Sequence, residues 1–150
     1  MKIKESAGIA IILKGNKILM ARPRNAKIWE RYTPPKGNIE DGESIEKAAS
    51  RETHEEVGIY ISPNVLDRSK MAIIDYDDRR GNIFKRVYLF EHRINTLVEI
   101  GLADEILPKS MLQEEEISDA RFMDYKECEE KSLKRYIKYI KNKIGIPDEN

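Results

Sequence analysis

The sequence predicts an α/β or α+β fold in which helices pack on a mixed β-sheet. Segments rich in β-branched and apolar residues, typical of strands, outnumber the segments with a helical pattern, and the two kinds do not alternate regularly. The chain has 150 residues, of which 40% are hydrophobic, so it can bury one core but is short for two. We therefore expect a single domain spanning residues 1–150.

The first part of the chain predicts a β-hairpin followed by a long loop. Residues 6–14 (SAGIAIILK) are apolar and β-branched, as in a buried strand, and residues 17–22 (KILMAR) can return as the partner strand. Gly15 and Asn16 between them form a strong hairpin signal. Residues 23–38 are predicted to form a loop because they contain several prolines and glycines.

The middle of the chain predicts one helix and two further strands. Residues 43–57 have a helical composition, and Gly58 stands where helices commonly end in a left-handed residue. Two strands are expected at residues 71–76 and 82–94, and the polar residues 77–81 would form the turn that joins them.

The last part of the chain predicts a loop, a strand and a long amphipathic helix. Residues 99–115 are expected to be a loop and residues 117–124 a strand. Residues 125–144 predict one helix, because four apolar residues recur at helical spacing, namely Leu133, Tyr136, Ile137 and Ile140.

Composition and charge favour a soluble cytoplasmic protein. Lys plus Arg and Asp plus Glu both number 27, so the net charge is zero, which argues against a general nucleic-acid coat protein but allows a local basic pocket for a phosphorylated small molecule. A single cysteine, Cys128, cannot form an intramolecular disulfide, as expected in the cytosol. The apolar run near the N-terminus, about seven residues long, is too short for a signal peptide or a membrane span.

Three glutamates in the predicted first helix point to a metal site. Glu52, Glu55 and Glu56 fall within an arc of about 100° on a helix, where their like charges repel each other by a few tenths of a kcal/mol. A hard divalent cation would reverse that penalty, because Mg²⁺ prefers carboxylate oxygens. A solvated acidic face is the alternative. The preceding loop favours the metal site, because Lys36 and Gly37 offer a cation and open backbone to phosphates.

This loop and helix resemble the Nudix box, G-x5-E-x7-R-E-U-x-E-E-x-G-U, where U is a bulky aliphatic residue. Gly37, Glu43 and residues 51–59 (RETHEEVGI) match its seven fixed identities, which would occur by chance about 10⁻⁸ times per starting position. Thr53 departs from the pattern, although its methyl group can still face the core. The resemblance implies the Nudix fold, an α/β/α sandwich with a mixed sheet, and Mg²⁺- or Mn²⁺-dependent hydrolysis of a nucleoside diphosphate linked to another group.

A looser resemblance points to one branch of that family. The segments YTPPKGNIEDGE and RETHEEVGI are similar to those of asymmetric diadenosine tetraphosphate hydrolases, as are SAGIAII and EISDARFMD. This likeness runs from Ser6 to Asp124. It implies dinucleoside polyphosphates as substrates, with diadenosine tetraphosphate split into ATP and AMP.

The resemblance also implies roles for individual residues. Glu52, Glu55 and Glu56 would hold the metal together with the Gly37 carbonyl, and Arg51 would orient the loop and helix with Glu43. The proton acceptor would be Glu56 or Glu116, and Glu114 and Glu115 adjoin the second of these. The candidate catalytic residues are therefore Arg51, Glu55, Glu56 and Glu116.

Substrate contacts are expected on both sides of the box. Lys36 would contact a phosphate, and Arg22 and Arg24, at the end of the second predicted strand, could reach the distal phosphates. Tyr76 and Tyr88 lie on predicted strands that could form a wall of the nucleotide pocket, with ordinary sheet packing as the alternative.

Several other functions compete with dinucleoside polyphosphate hydrolysis. Removal of pyrophosphate from the 5′ end of RNA would use the same helix but needs a basic track, which the zero net charge does not suggest. A silent nucleotide-binding module would not need all three glutamates, and a purely structural domain would not need the loop-to-helix spacing. We expect a nucleotide as the ligand and no membrane partner, and the sequence leaves a monomer and a homodimer equally open.

Overall fold

One mixed β-sheet organises the chain in the computed structural model, which describes residues 2–25 and 31–145. Within these residues the strands are β1 (Lys4–Leu13), β2 (Lys17–Pro23), β3 (Lys36–Asn38), β4 (Met71–Asp77), β5 (Ile83–Ile94) and β6 (Ile117–Met123). The helices are α1 (Ile45–Val57), α2 (Tyr125–Lys131) and α3 (Ile137–Ile144), and short 3₁₀ turns join several elements.

The sheet has the order β4-β5-β1-β2-β6, with β1 and β5 parallel and the other neighbouring pairs antiparallel. β1 and β2 pair only beside their turn, at Ile12↔Ile18 and Leu13↔Lys17. Beyond that point the two strands separate, and the segment before α1 fills the gap. Its residue Thr33 bridges to β2, and β3 pairs with the first half of β1. This gap holds the backbone that leads to the loop before α1.

Helices cover the two faces of the sheet. Along β1, Ala7, Ile9 and Ile11 belong to the core on the α1 side, whereas Ala10 and Ile12 belong to the core under α2 and α3. This alternation follows from the period of two residues in a strand that is buried on both faces. The predicted α/β/α sandwich with a mixed sheet is confirmed.

The helix α1 is built from local signals. The side chain of Ser44 accepts a hydrogen bond from the Lys47 amide and so caps the N-terminus. Gly58 ends the helix with φ of 73°, a left-handed conformation that glycine adopts without a Cβ penalty. The predicted helix 43–57 is therefore confirmed, with its start moved to Ile45.

The prediction of one helix over residues 125–144 is wrong. α2 ends at Lys131, Ser132 and Leu133 are extended, and a 3₁₀ turn then leads into α3. Tyr32 causes the break, because its amide donates to the Lys131 carbonyl at 3.0 Å and its carbonyl accepts from the Leu133 amide at 2.9 Å. Backbone groups that pair with a distant segment cannot also continue the helical ladder.

The predicted loop over residues 23–38 is only partly correct. β3 and the bridge between Ala21 and Thr33 place strand-like pairing within it, while residues 26–30 lie outside the described residues. The predicted loop over residues 99–115 contains the 3₁₀ turn Lys109–Met111. None of the helices in the described part of the chain is long and apolar enough to cross a membrane.

Candidate active site

Arg51 on α1 ties the helix to the loop that precedes it. Its guanidinium donates to both oxygens of Glu43, at 2.7 and 2.8 Å, and to the Asn38 carbonyl at 3.0 Å. The same group donates to Glu52 at 2.9 Å and to Glu55 at 3.2 Å. These charge-assisted bonds lower the pKa of Glu43. The contacts are those of a residue that orients the loop and the carboxylates.

Gly37 allows the loop backbone to lie against Glu52. A Cβ atom at position 37 would lie 2.0 Å from Oε2 of Glu52, which is far inside van der Waals contact. Any side chain at this position would therefore displace the carboxylate. Gly37 and Glu52 therefore lie next to each other, and this close approach is possible only because residue 37 has no side chain.

Glu56 is the most buried of the box glutamates. Its Oε1 accepts a hydrogen bond from the Lys36 amide at 3.1 Å, and burial raises the pKa of its carboxyl group to about 7. Burial also raises the pKa of Glu52, although Arg51 opposes the shift. The Glu56 carbonyl accepts from the Gln113 amide at 2.9 Å, which brings the segment before β6 to the end of α1.

Glu116 faces the same space as the box glutamates. A cavity of about 190 Å³ is lined by side chains that include Glu52, Glu55, Glu56 and Glu116. A second cavity, of about 260 Å³, is lined by Lys36, Glu56 and Glu116 among others. Five carboxylates and two lysines therefore line the two cavities, which share Glu56 and Glu116. Two glutamates precede Glu116 in the chain. Glu115 lines the second cavity, and Glu114 lines a third cavity together with Arg24.

A model of the NUDIX domain matches residues 2–142, which is nearly the whole chain. The chain belongs to the Nudix family.

Solved structures of Nudix proteins show the same fold at low sequence identity. An Ap4A hydrolase of C. elegans has a TM-score of 0.67 and 19% identity, with 93% of each chain covered. A NUDIX hydrolase of Nitrosomonas europaea has a TM-score of 0.64 and 18% identity, over 95% of this chain and 92% of that one. The MutT protein of Methanosarcina mazei Go1 has a TM-score of 0.65 and 14% identity, covering 93% and 91%.

One relative is closer in sequence but matches over a shorter stretch. An ADP-ribose pyrophosphatase of Methanocaldococcus jannaschii is 34% identical over 83 residues, covering 54% of this chain and 47% of that protein. The chain therefore spans about half the length of this relative.

The carboxylates of this Nudix site have the right chemistry for a divalent cation. Nudix proteins generally use ions such as Mg²⁺, and Glu52, Glu55 and Glu56 supply hard oxygen donors beside the Gly37 backbone. Among the described residues, however, no three acidic, histidine or cysteine side chains are grouped closely enough to hold an ion as they stand. Arg51 holds Glu52 and Glu55, so ion binding requires these side chains to turn towards the cavity.

Lys85 lines the carboxylate cavity and was missed by the sequence analysis. It lies on β5, where burial and the nearby charge of Lys36 lower the pKa of its ammonium group to about 8. The parallel pairing of β1 with β5 brings it beside the start of β1, opposite Lys4. Lys85 is one of several polar residues in this strand, and nothing in the strand alone shows which of them lies next to the carboxylates.

The two tyrosines predicted near the nucleotide make contacts within the protein. Two cations lie near the centroid of the Tyr76 ring, Nζ of Lys85 at 5.0 Å and Cζ of Arg135 at 4.9 Å. The Tyr76 hydroxyl is 2.9 Å from that of Tyr136. Tyr88 packs on the α1-side core and donates its hydroxyl to Glu5. Both sets of contacts are those of sheet packing, the alternative that the sequence left open.

The two arginines at the end of β2 are placed differently from each other. Arg22 contacts the Ser118 hydroxyl at 3.5 Å. Arg24 donates its amide to the Glu116 carbonyl at 2.7 Å and its side chain to the Glu114 carbonyl. Arg24 also lines the third cavity together with Lys109. Arg24 therefore holds the segment that carries Glu116.

Proposed function

We propose that this Nudix protein is a metal-dependent pyrophosphohydrolase that cleaves a phosphoanhydride bond in a nucleoside diphosphate linked to another group. The supporting observation is the placement of four carboxylates around one cavity, which Lys85 also lines, while Lys36 lines the adjoining cavity. Carboxylates alone would repel a diphosphate, whereas carboxylates that hold a cation, together with two lysines, can bind one. Carboxylates and lysines that lie side by side in this way suit the binding of a metal ion together with a phosphate group.

Some residues of the site would bind the metal ion and others the substrate. Glu52, Glu55, Glu56 and the Gly37 carbonyl would hold Mg²⁺ or Mn²⁺, and the bound ion supplies charge neutralisation and a water of lowered pKa. Lys36 binds a phosphate oxygen. Arg51 orients Glu52 and Glu55 through its hydrogen bonds to both carboxylates.

Two residues remain candidates for accepting the proton of the attacking water. Glu56 and Glu116 both line the cavities, but Glu56 is partly buried and accepts a hydrogen bond from the Lys36 amide, whereas Glu116 is exposed. Replacing each by Gln separates them, because loss of a metal ligand weakens the affinity for Mn²⁺, while loss of a proton acceptor alone lowers kcat and leaves that affinity unchanged.

Dinucleoside polyphosphates are the substrate class that we propose, with diadenosine tetraphosphate cleaved to ATP and AMP. The T-P-P-K-G segment before α1 supports this choice, and so does the likeness of the fold to an Ap4A hydrolase. ADP-ribose is the second candidate, favoured by the sequence match to an ADP-ribose pyrophosphatase. Both are nucleoside diphosphates linked to another group.

A comparison of substrates tests the proposal directly. We would measure kcat/KM for diadenosine tetraphosphate, ADP-ribose, dGTP and 5′-triphosphorylated RNA at equal Mg²⁺ and separate the products by charge. ATP and AMP are expected from the tetraphosphate, and two molecules of ADP would contradict the asymmetric cut. If none of the four is hydrolysed although nucleotide still binds, the protein is a silent binding module.

Variants of the phosphate contacts sharpen this test. Lys36→Ala should weaken transition-state binding by about 1.5–3 kcal/mol, the value of a charge-assisted contact. Lys14→Ala is the matched control, because it removes one lysine charge at an exposed position on the turn between β1 and β2. Equal losses in both variants would indicate a general charge effect and would contradict the role of Lys36.

A further inference from the structure

A short stretch of backbone connects the C-terminal helices to the active site. At one end, the backbone of Tyr32 pairs with the segment between α2 and α3. At the other end, the Lys36 amide donates to Oε1 of Glu56 at 3.1 Å. Between them stand Pro34 and Pro35, and each proline fixes its own φ and restricts the residue before it. A displacement at Tyr32 is therefore passed on to Lys36. We call the stretch from Tyr32 to Lys36 the connecting segment.

The side chain of Tyr32 anchors this segment to β6. Its hydroxyl donates to Oδ2 of Asp119 at 2.6 Å, a distance typical of a bond to an ionised carboxylate. Arg121 donates to both oxygens of Asp119, at 2.7 and 3.2 Å. Burial would raise the pKa of Asp119, but the bonds from Arg121 and Tyr32 lower it below its usual value. Asp119 is therefore an ionised acceptor held in one place.

The anchor lies behind the cavity of about 260 Å³. That cavity is lined by parts of β2, of the connecting segment and of β6, among them Ala21, Thr33 and Ile117. Tyr32 packs against the core under α2 and α3, so its side chain points to the other side of the sheet from that of Thr33. Neither Tyr32 nor Asp119 is among the described residues that line the two carboxylate cavities. Their bond therefore joins two walls of the cavity without reaching into it.

Simple packing of the ring is the alternative explanation for Tyr32. A phenylalanine could pack in the same place, but it would remove one donor from Asp119. The hydroxyl bond joins residues 87 positions apart in the chain, so it fixes the connecting segment relative to β6. The hydroxyl of Tyr125, in contrast, contacts the exposed side chain of Glu129 one turn later in α2, at 3.1 Å. That bond fixes no distant parts of the chain, which makes Tyr125 a suitable control.

We propose that Tyr32 and Asp119 are positioning residues that hold the backbone of Lys36 against Glu56. The anchored hydroxyl sets the place of the Lys36 amide through the two prolines. The amide in turn orients the Glu56 carboxylate, which is one of the proposed metal ligands. The effect on turnover rests on the proposed function, whereas the effect on the Lys36 amide does not.

The bond of the Lys36 amide can be followed without metal. Its hydrogen exchange, measured by NMR in EDTA, should be at least about tenfold faster in Tyr32→Phe than in the wild-type protein, because the segment opens more often once it is not anchored. The Ile39 amide, which donates to the Glu5 carbonyl at 3.1 Å, should exchange equally in both. Tyr125→Phe should change neither rate. Equal exchange of the Lys36 amide in Tyr32→Phe and wild type would overturn the proposal.

Variants of Asp119 separate the hydrogen bond from the charge. Asp119→Asn keeps an oxygen that accepts from the Tyr32 hydroxyl, so the affinity of the nucleotide-free protein for Mn²⁺ should stay within about twofold of wild type. Asp119→Ala and Tyr32→Phe should each weaken that affinity by at least about fivefold. The double variant should be no weaker than either single variant, because both remove the same bond. Additive losses, or an Asn variant as weak as the Ala variant, would overturn the proposal.

Turnover distinguishes positioning from a merely structural role. At saturating Mg²⁺ and well below the melting temperature, Tyr32→Phe should lower kcat by about tenfold and change KM by less than about threefold, since misalignment affects the chemical step more than binding. A lower melting temperature with unchanged kcat, Mn²⁺ affinity and amide exchange would show that the pair only stabilises the fold, and would refute the proposal. If the wild-type protein hydrolyses no nucleotide while exchange and Mn²⁺ affinity still depend on Tyr32, the positioning pair stands and the proposed function fails.

Discussion

Thr53 occupies the one position at which the sequence departs from the Nudix box. It is fully buried on the core side of α1, as its methyl group allowed, but its hydroxyl oxygen has no hydrogen-bond partner among the described residues. A buried polar atom without a partner costs free energy that a methyl group would not. The family pattern of an aliphatic residue here therefore has a physical reason.

Thr53→Val should raise the free energy of unfolding by about 1 kcal/mol, because it replaces an unpaired hydroxyl with a methyl group of nearly the same size. Urea denaturation at neutral pH measures the change. Thr33→Val is the matched control, because the Thr33 hydroxyl donates to the Pro34 carbonyl at 3.1 Å and its loss should not stabilise the protein. A Thr53→Val protein that is less stable than wild type would contradict this explanation.

Glu56→Gln should stabilise the metal-free protein while it abolishes activity. Burial raises the pKa of Glu56 to about 7, so its ionised form is disfavoured in the folded state. The wild-type protein therefore loses stability as the pH rises from the ordinary carboxyl pKa, about 4.3, towards that value, and the Gln variant does not. In EDTA, the difference in melting temperature should grow across this window and then stay constant.

Glu55→Gln is the control for this gain in stability. Glu55 is exposed, so removal of its charge should not stabilise the metal-free protein in the same way. Both variants should lose at least about 10²-fold in kcat/KM, since each lacks a carboxylate of the site. Near wild-type turnover in either variant would contradict the assignment of the box glutamates to the metal site.

Among the elements, the C-terminal helices show how a distant segment controls local structure. Tyr32 pairs with residues on both sides of Ser132 and so separates α2 from α3. The Tyr32 hydroxyl also donates to Asp119 of β6 at 2.6 Å. The backbone that leads to Lys36 is therefore attached at once to α2, to β6 and, through Thr33, to β2.

Glu91 of β5 attaches α3 to the sheet, and its contribution should depend on pH. Its carboxylate is largely buried; burial alone would raise its pKa, but bonds to Lys143 at 2.7 Å and Arg93 at 3.0 Å lower the pKa overall. Since the folded-state pKa lies below the unfolded-state value, the stabilisation is present above about pH 4.3 and is lost as the pH falls through the folded-state pKa.

Glu91→Gln should accordingly lower the free energy of unfolding by about 1 kcal/mol at neutral pH, a value reduced by the exposure of both cations, and by much less in acid. Denaturant unfolding at two pH values gives both numbers. Glu130→Gln on α2 is the control, because this side chain is exposed. An effect of Glu91→Gln that is the same at both pH values would show that the loss is due to packing and not to charge.

For the molecule as a whole, the net charge conceals how the charges are distributed. The carboxylates gather around the end of α1, and the lysines of the C-terminal segment gather on the opposite side of the sheet. Between these regions lie Lys36 and Lys85. A balance of 27 basic and 27 acidic residues therefore does not show how basic any one part of the surface is.

Metal removal tests the site in the intact protein. Activity should be absent in EDTA, return with Mg²⁺ or Mn²⁺, and rise towards alkaline pH as the attacking water ionises. The melting temperature should rise on addition of the metal, because the ion binds the folded state and relieves repulsion between carboxylates. Full activity in the chelator would leave the glutamates of α1 without the role proposed for them.

The sequence alone determined those features of the protein that are set by residues close to each other in the chain. The spacing from Gly37 to Gly58 identified the loop, the helix and the carboxylates, because a helix fixes the mutual placement of residues three and four apart. The hairpin at Gly15-Asn16 was predictable for the same reason, since the short turn of residues 14–16 sets the direction of both strands.

The tertiary structure decided everything that depends on pairing across long separations in the chain. Lys85 reaches the carboxylates because β5 pairs with β1, and Glu116 reaches them because the segment before β6 bonds to the end of α1. The break between α2 and α3 comes from Tyr32, about a hundred residues earlier. Periodicity reports which side of an element is buried, but it carries no information on which distant backbone groups will compete for its hydrogen bonds.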